Sequence, residues 1–153
     1  LGVETMLITA DGKMVLLQRS AAVATHSGLY NGPSGHPEPS HVPGCVDLAD
    51  ESLQTKSGAK SLASRVLHEL FDSVRQETHE ETNVPLETLD EPRLIGAMAE
   101  VPTSKPDLLF ISRTTLSATD VLECFQQGGA DAWESDRVLL VDARSHDAVF
   151  IYI

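Results

Sequence analysis

The length of 153 residues suits one domain, and 41% hydrophobic with 22% charged residues is the composition of a folded globular chain. Disordered and collagen-like chains are excluded. The 11 Lys and Arg are outnumbered by 23 Asp and Glu, and the net charge of −12 repels nucleic-acid backbones. An anionic small molecule remains a workable partner where carboxylates gather a divalent cation that reverses the local field.

Residues 3–9 and 13–18 are β-rich runs joined by Ala10-Asp11-Gly12, and Asp-Gly between two such runs predicts a hairpin. Residues 21–60 are rich in Ser, Gly, Pro and His and read as one long loop, a length that is usually functional. Over 61–83, Leu62, Val66, Leu67, Leu70, Phe71 and Val74 recur at helical steps, and Asn83 and Pro85 stop the helix. Residues 93–101 and 108–116 predict two strands, with Pro102 and Pro106 marking the turn between them. Ser117 is placed to cap a helix through Gln127, Gly128-Gly129 close it, and 137–141 predict a last strand. These elements predict an α/β (α+β) chain in which helices pack on a mixed sheet and the long loop reaches over one end.

The long helix ends in Arg75-Gln76-Glu77-Thr78-His79-Glu80-Glu81-Thr82-Asn83-Val84. Glu77, Glu80 and Glu81 stand three and four positions apart, so their carboxylates crowd one face. They also sit where the helix dipole disfavours negative charge. A hard divalent cation would relieve both conflicts; a solvated acidic face is the alternative.

Read with the upstream Gly32-Pro33-Ser34-Gly35-His36-Pro37-Glu38-Pro39, this segment resembles the Nudix signature G-x5-E-x7-R-E-U-x-E-E-x-G-U, where U is apolar. Gly35 takes the opening glycine, Glu77 the first helix glutamate, Glu80 and Glu81 the pair, and Val84 the closing apolar residue. Gln76 replaces the arginine, with Arg75 beside it as a partial substitute, Thr78 fills an apolar place and Asn83 that of the last glycine. The stretch from Gly35 to Gln76 is far longer than in the signature. Within the Nudix hydrolase family the chain is most similar to the UDP-sugar diphosphatases of the UDP-glucose type, through residues 28–39, 68–77, 83–89 and Ala132-Trp133-Glu134-Ser135.

The resemblance implies a Nudix-like α-β-α sandwich with a mixed β-sheet. It also implies Mg²⁺, or Mn²⁺, held by Glu77 and Glu81 with Glu80, and hydrolysis of a nucleotide sugar such as UDP-glucose to UMP and sugar 1-phosphate. Glu134 is then a further ligand or general base, or an ordinary loop acid. Arg19, at the end of the second run, meets a substrate phosphate or is a surface arginine. Glycine at 35 lets backbone approach the metal closely, and His36 touches phosphate or stabilises the loop. Members of that group carry an N-terminal segment, so residues 1–153 are expected to be a single domain cut from a longer chain, with 21–60 expanding the signature. A catalytically silent module binding a nucleotide or a protein is the alternative.

His26, His36, His41, His68, His79 and His146 match no zinc spacing, and Cys45 and Cys124 lie outside any C-x-x-C pair, predicting free thiols. Trp133 stacks on a base or anchors packing. Without an apolar run near ~20 residues or a leader-like start, the expected location is cytoplasmic, with no membrane partner. Oligomeric state is not legible.

Overall fold

The computed structural model describes residues 1–23, 27–44, 55–99 and 104–144. His26, Cys45, His146 and Pro102 lie outside the described residues.

Strands β1 (Gly2–Ile8) and β2 (Lys13–Arg19) form the expected antiparallel hairpin around Asp11-Gly12. Gly12 takes φ 80°, a left-handed conformation that L side chains rarely adopt. The hairpin pairs only near its turn, through Leu7 with Val15 and Ile8 with Met14. Beyond that the strands splay, and two short strands from the long loop fill the gap. Strand β3 (Tyr30–Asn31) pairs with β2, and β4 (Ser34–Gly35) with β1. The amide of Thr5 donates to the carbonyl of Pro33 at 2.8 Å inside this wedge.

Helix α1 (Lys56–Thr82) begins five residues before the expected Ser61, so the predicted loop ends earlier than 60. Its N-cap is Thr55, whose hydroxyl accepts from the Gly58 amide at 3.0 Å. Its last turn ends on Asn83 in the left-handed conformation, φ 57°. Strands β5 (Arg93–Ala99) and β6 (Pro106–Arg113) form the second hairpin, and β6 runs parallel to β1 from Gly2–Asp107 to Ile8–Arg113. Pro106 opens β6, a place where a strand tolerates a missing amide. Helix α2 (Ala118–Gln127) carries a complete capping box between Ser117 and Asp120. Strand β7 (Ser135–Asp142) covers the outer edge of β2.

Among the described residues the result is one mixed seven-stranded sheet with packed helices. Alternation along β1 divides its side chains between the two faces. Val3 and Phe110 pack against Leu70 and Val74 of α1, while Leu7, Val15 and Leu17 pack against Val84 and Val121. Both described helices therefore lie on that face. The opposite face holds Ile8, Met14 and Leu16. Among the described residues, no helix is long and apolar enough to cross a membrane.

Candidate metal and substrate site

The wedge carries Ser34 and Gly35 onto the C-terminal half of α1. The amide of Ser34 donates to Oε1 of Glu81 and the amide of His36 to Oε1 of Glu77, both at 3.2 Å. A Cβ on Gly35 would overlap the Glu77 carboxylate, so glycine there is what allows the strand to lie on the acid. The segment from Glu38 to His41 is held on the same helix by Glu69, whose Oε1 accepts from the Glu38 amide at 3.2 Å and meets Nδ1 of His41 at 3.3 Å.

Burial is the main force on both glutamates. It pushes the Glu77 carboxyl up to about 7, opposed by the His36 amide and reinforced by Glu80, Asp131 and Glu134. Glu81, 3% exposed, is pushed to about 8, opposed by the Ser34 amide, reinforced by Glu134 and Glu77, and eased by Arg19. Thr78 and Thr82 fill the apolar side of this helix end. Their hydroxyls turn back onto the carbonyls of Val74 and Thr78 respectively, so they bury without an orphaned polar group.

The turn after helix α2 closes the far side. Asn83 donates from Nδ2 to the Cys124 carbonyl at 3.2 Å, and the Asp131 amide donates to the Glu80 carbonyl at 3.1 Å. A Cβ on Gly129 would overlap that same Glu80 carbonyl, which fixes glycine at the contact. The Ser20 amide donates to the Glu134 carbonyl at 2.8 Å, tying Glu134 to the end of β2 beside Arg19.

Between the sheet and the end of α1 lies a half-open cavity of about 980 Å³ whose lining includes Arg19, Gly35, His36, Glu77, Glu80 and Glu134. All of the residues read from sequence thus converge, except that Glu81 is nearly closed off from solvent and is not on the wall. Asp131, Tyr30, Lys105 and Asp107 also line the cavity and were not legible in the sequence. The burial of His36 and the neighbouring Lys105 ammonium lower its imidazole pKa.

Two details differ from expectation. Arg75 turns away from Glu77: its guanidinium donates to the Leu86 carbonyl at 3.0 Å and lies 3.6 Å from Glu91. Gln76 instead holds Glu80, donating to its Oε1 at 2.6 Å. Trp133 does not anchor packing; it is 58% exposed, with its indole N–H donating to Asp131 at 3.3 Å.

The donor chemistry suits a hard divalent cation, because carboxylate oxygens from α1 and from the turn before β7 act on one another electrostatically. Oε1 of Glu77 and of Glu81 each takes one amide, leaving the second oxygen of each without a hydrogen bond among the described residues. As positioned, no three His, Cys, Asp or Glu side chains among the described residues form a finished cage. The carboxylates suit such a cation in ligand kind, while their placement does not gather three of them around one point.

No family profile matches the chain. It is 38% identical to the uridine diphosphate glucose pyrophosphatase NUDT22 of Bos taurus, over 95% of this chain and 48% of that protein. The Homo sapiens protein of that name is also 38% identical, over 95% of this chain and 46% of its own length. The chain spans about half the length of these curated relatives. Its fold matches the crystal structure of a NUDIX hydrolase from Alicyclobacillus acidocaldarius with TM-score 0.53 at 13% identity, covering 97% of this chain and 80% of the other. Over nearly its whole length the chain is thus similar in sequence to uridine diphosphate glucose pyrophosphatases, and its fold is that of a Nudix hydrolase.

Proposed function

We propose that this protein hydrolyses the diphosphate linkage of a nucleoside diphosphate sugar, with UDP-glucose giving UMP and glucose 1-phosphate. The observation that carries the reading is the pair Glu77 and Glu81, desolvated on one helix end and each gripped by an amide of the inserted strand. The relatives supply the nucleotide and the sugar.

Glu77 and Glu81, with Glu80 and Glu134 nearby, would hold Mg²⁺, or Mn²⁺ in its place. The cation supplies charge neutralisation on the phosphate oxygens, which otherwise repel an incoming nucleophile. Arg19 binds a phosphate oxygen at the β2 end of the cavity, and its charge also eases ionisation of Glu81. Glu134, tied to the same strand end, accepts a proton from the attacking water. Gly35 lets the backbone close on Glu77 and keeps that carboxylate fixed, while His36 keeps a neutral imidazole beside the phosphates.

The test is phosphorus NMR of the protein with Mg²⁺ and UDP-glucose, run beside ADP-ribose and a nucleoside triphosphate. UMP and glucose 1-phosphate from UDP-glucose, abolished by EDTA, are the expected products. A silent nucleotide-binding module is the second reading, favoured by the closure of Glu81 from solvent and by Gln76 in the arginine's place. Tight binding of UDP-glucose without product, across Mg²⁺ and Mn²⁺, would establish that reading instead.

A further inference from the structure

The cavity has two chemically different ends. At the β2–β3 end, Arg19 stands with Leu29, 58% exposed, and Tyr30. At the β5–β6 end, Lys105 and Asp107 stand with Met98 and Gly2. Gly2, Asp107 and Met98 form a row across the sheet, since Asp107 pairs with Gly2 of β1 on one side and Met98 of β5 on the other. Residues directly opposite one another in adjacent strands share a face. A Cβ on Gly2 would overlap the Asp107 carboxylate, so the glycine leaves that acid room beside the β1 backbone. The ammonium of Lys105 lies 3.6 Å from Oδ1 of Asp107, and the carboxylate side chain is 20% exposed.

We infer that Lys105 and Asp107 form the hexose-recognition subsite of this cavity, reading neighbouring sugar hydroxyls, while Leu29 and Tyr30 face the nucleobase. The inference rests on the nucleotide-sugar reading above and adds which end of the substrate goes where. A hydroxyl both donates and accepts, and a carboxylate beside an ammonium offers one partner for each role. A base instead presents a flat apolar face, which a leucine and a tyrosine suit. His36 links the subsite to the glutamates: its amide holds Glu77, and its ring feels the charges of Lys105 and Asp107. A diphosphate bridging the two ends therefore passes the glutamates, with its sugar on Asp107.

The proposal is tested by titrating the methylene-bridged, non-hydrolysable analogue of UDP-glucose, and the methylene-bridged analogue of UDP, into the protein with Mg²⁺. The unaltered protein should bind the sugar-bearing analogue more tightly. Asp107→Asn and Lys105→Met should each weaken that analogue by about tenfold, as expected when a sugar hydroxyl loses its hydrogen-bond partner in the site, and leave the sugar-free analogue within about twofold. Equal weakening of both analogues, unchanged affinity for the sugar-bearing one in both variants, or no preference for it in the unaltered protein would each overturn the subsite. Turnover of UDP-glucose, measured separately, decides the hydrolysis. Absent turnover with the sugar preference intact and lost in Asp107→Asn would refute hydrolysis and keep the subsite.

Discussion

The amide of His36 donates to Oε1 of Glu77 at 3.2 Å, although the two residues are 41 positions apart in sequence. This bond and its neighbour from Ser34 to Glu81 close the interrupted signature in space. Gly35 stands on the sheet and Glu77 on α1, and the two elements meet there although far apart in sequence.

Gly35→Ala tests that closure. Its Cβ would need the space of the Glu77 carboxylate, so Glu77 must swing away or β4 must lift from α1. Turnover of UDP-glucose is expected to fall by about 100-fold or more, the scale of a misplaced catalytic group. Circular dichroism should stay near that of the unaltered protein, because β4 is only two residues long.

The parts of this arrangement that are legible in sequence are those with local causes. Asp11-Gly12 specifies a turn, the apolar steps from Leu62 to Val74 specify a helix, and Ser117 with Asp120 specifies a cap. The first turn of α1 is hidden because Lys56-Ser57-Gly58-Ala59-Lys60 has no apolar period; Thr55 and neighbouring turns hold it. Strands β3 and β4 are too short to show alternation, and they exist because β1 and β2 splay apart. Asp131 and Asp107 reach the cavity through a tertiary contact and a strand register, neither of which composition reveals.

The raised carboxyls make stability depend on pH in an unusual direction. Glu77 and Glu81 ionise near 7 and 8 in the folded protein against 4.5 in an unfolded chain, so between those values the folded state holds protons that the unfolded state has released. Stability of the metal-free protein is therefore greatest near pH 5 and declines as pH rises through about 8. The lowered carboxyls of Asp11, Asp120 and Asp142 act the other way, but below about pH 4. In EDTA, Tm should drop by roughly 5–10 °C between pH 5.5 and 8.5, the scale of about 2–3 kcal/mol once the shifts are discounted for solvent screening. Glu81→Gln should flatten the slope, and Mg²⁺ should raise Tm most at the alkaline end. A slope unchanged in Glu81→Gln would remove Glu81 as its source.

Gln76→Arg asks whether the missing arginine has weakened the site. Gln76 already holds Glu80 at 2.6 Å on an exposed part of α1, and Arg75 is committed to Leu86 and Glu91. An exposed ion pair in place of that bond is worth at most about 1 kcal/mol, so turnover should change by no more than about fivefold in either direction. A gain of two orders of magnitude would mean that Gln76 leaves Glu80 poorly placed.

Gly129→Ala tests the contact that brings Asp131 and Glu134 to the cavity. Its Cβ would overlap the Glu80 carbonyl, a backbone atom inside the last turns of α1 that cannot move aside as a side-chain tip could. The turn must shift outward, breaking the hydrogen bond from the Asp131 amide to that carbonyl. The expected cost is about 2 kcal/mol of stability, the range for forcing volume into a packed contact. Because Glu134 moves with the turn, turnover should fall even where the protein remains fully folded, and denaturant unfolding run beside kinetics separates the two effects. Unchanged stability with unchanged turnover would mean that the turn rests on Glu80 without being positioned by it.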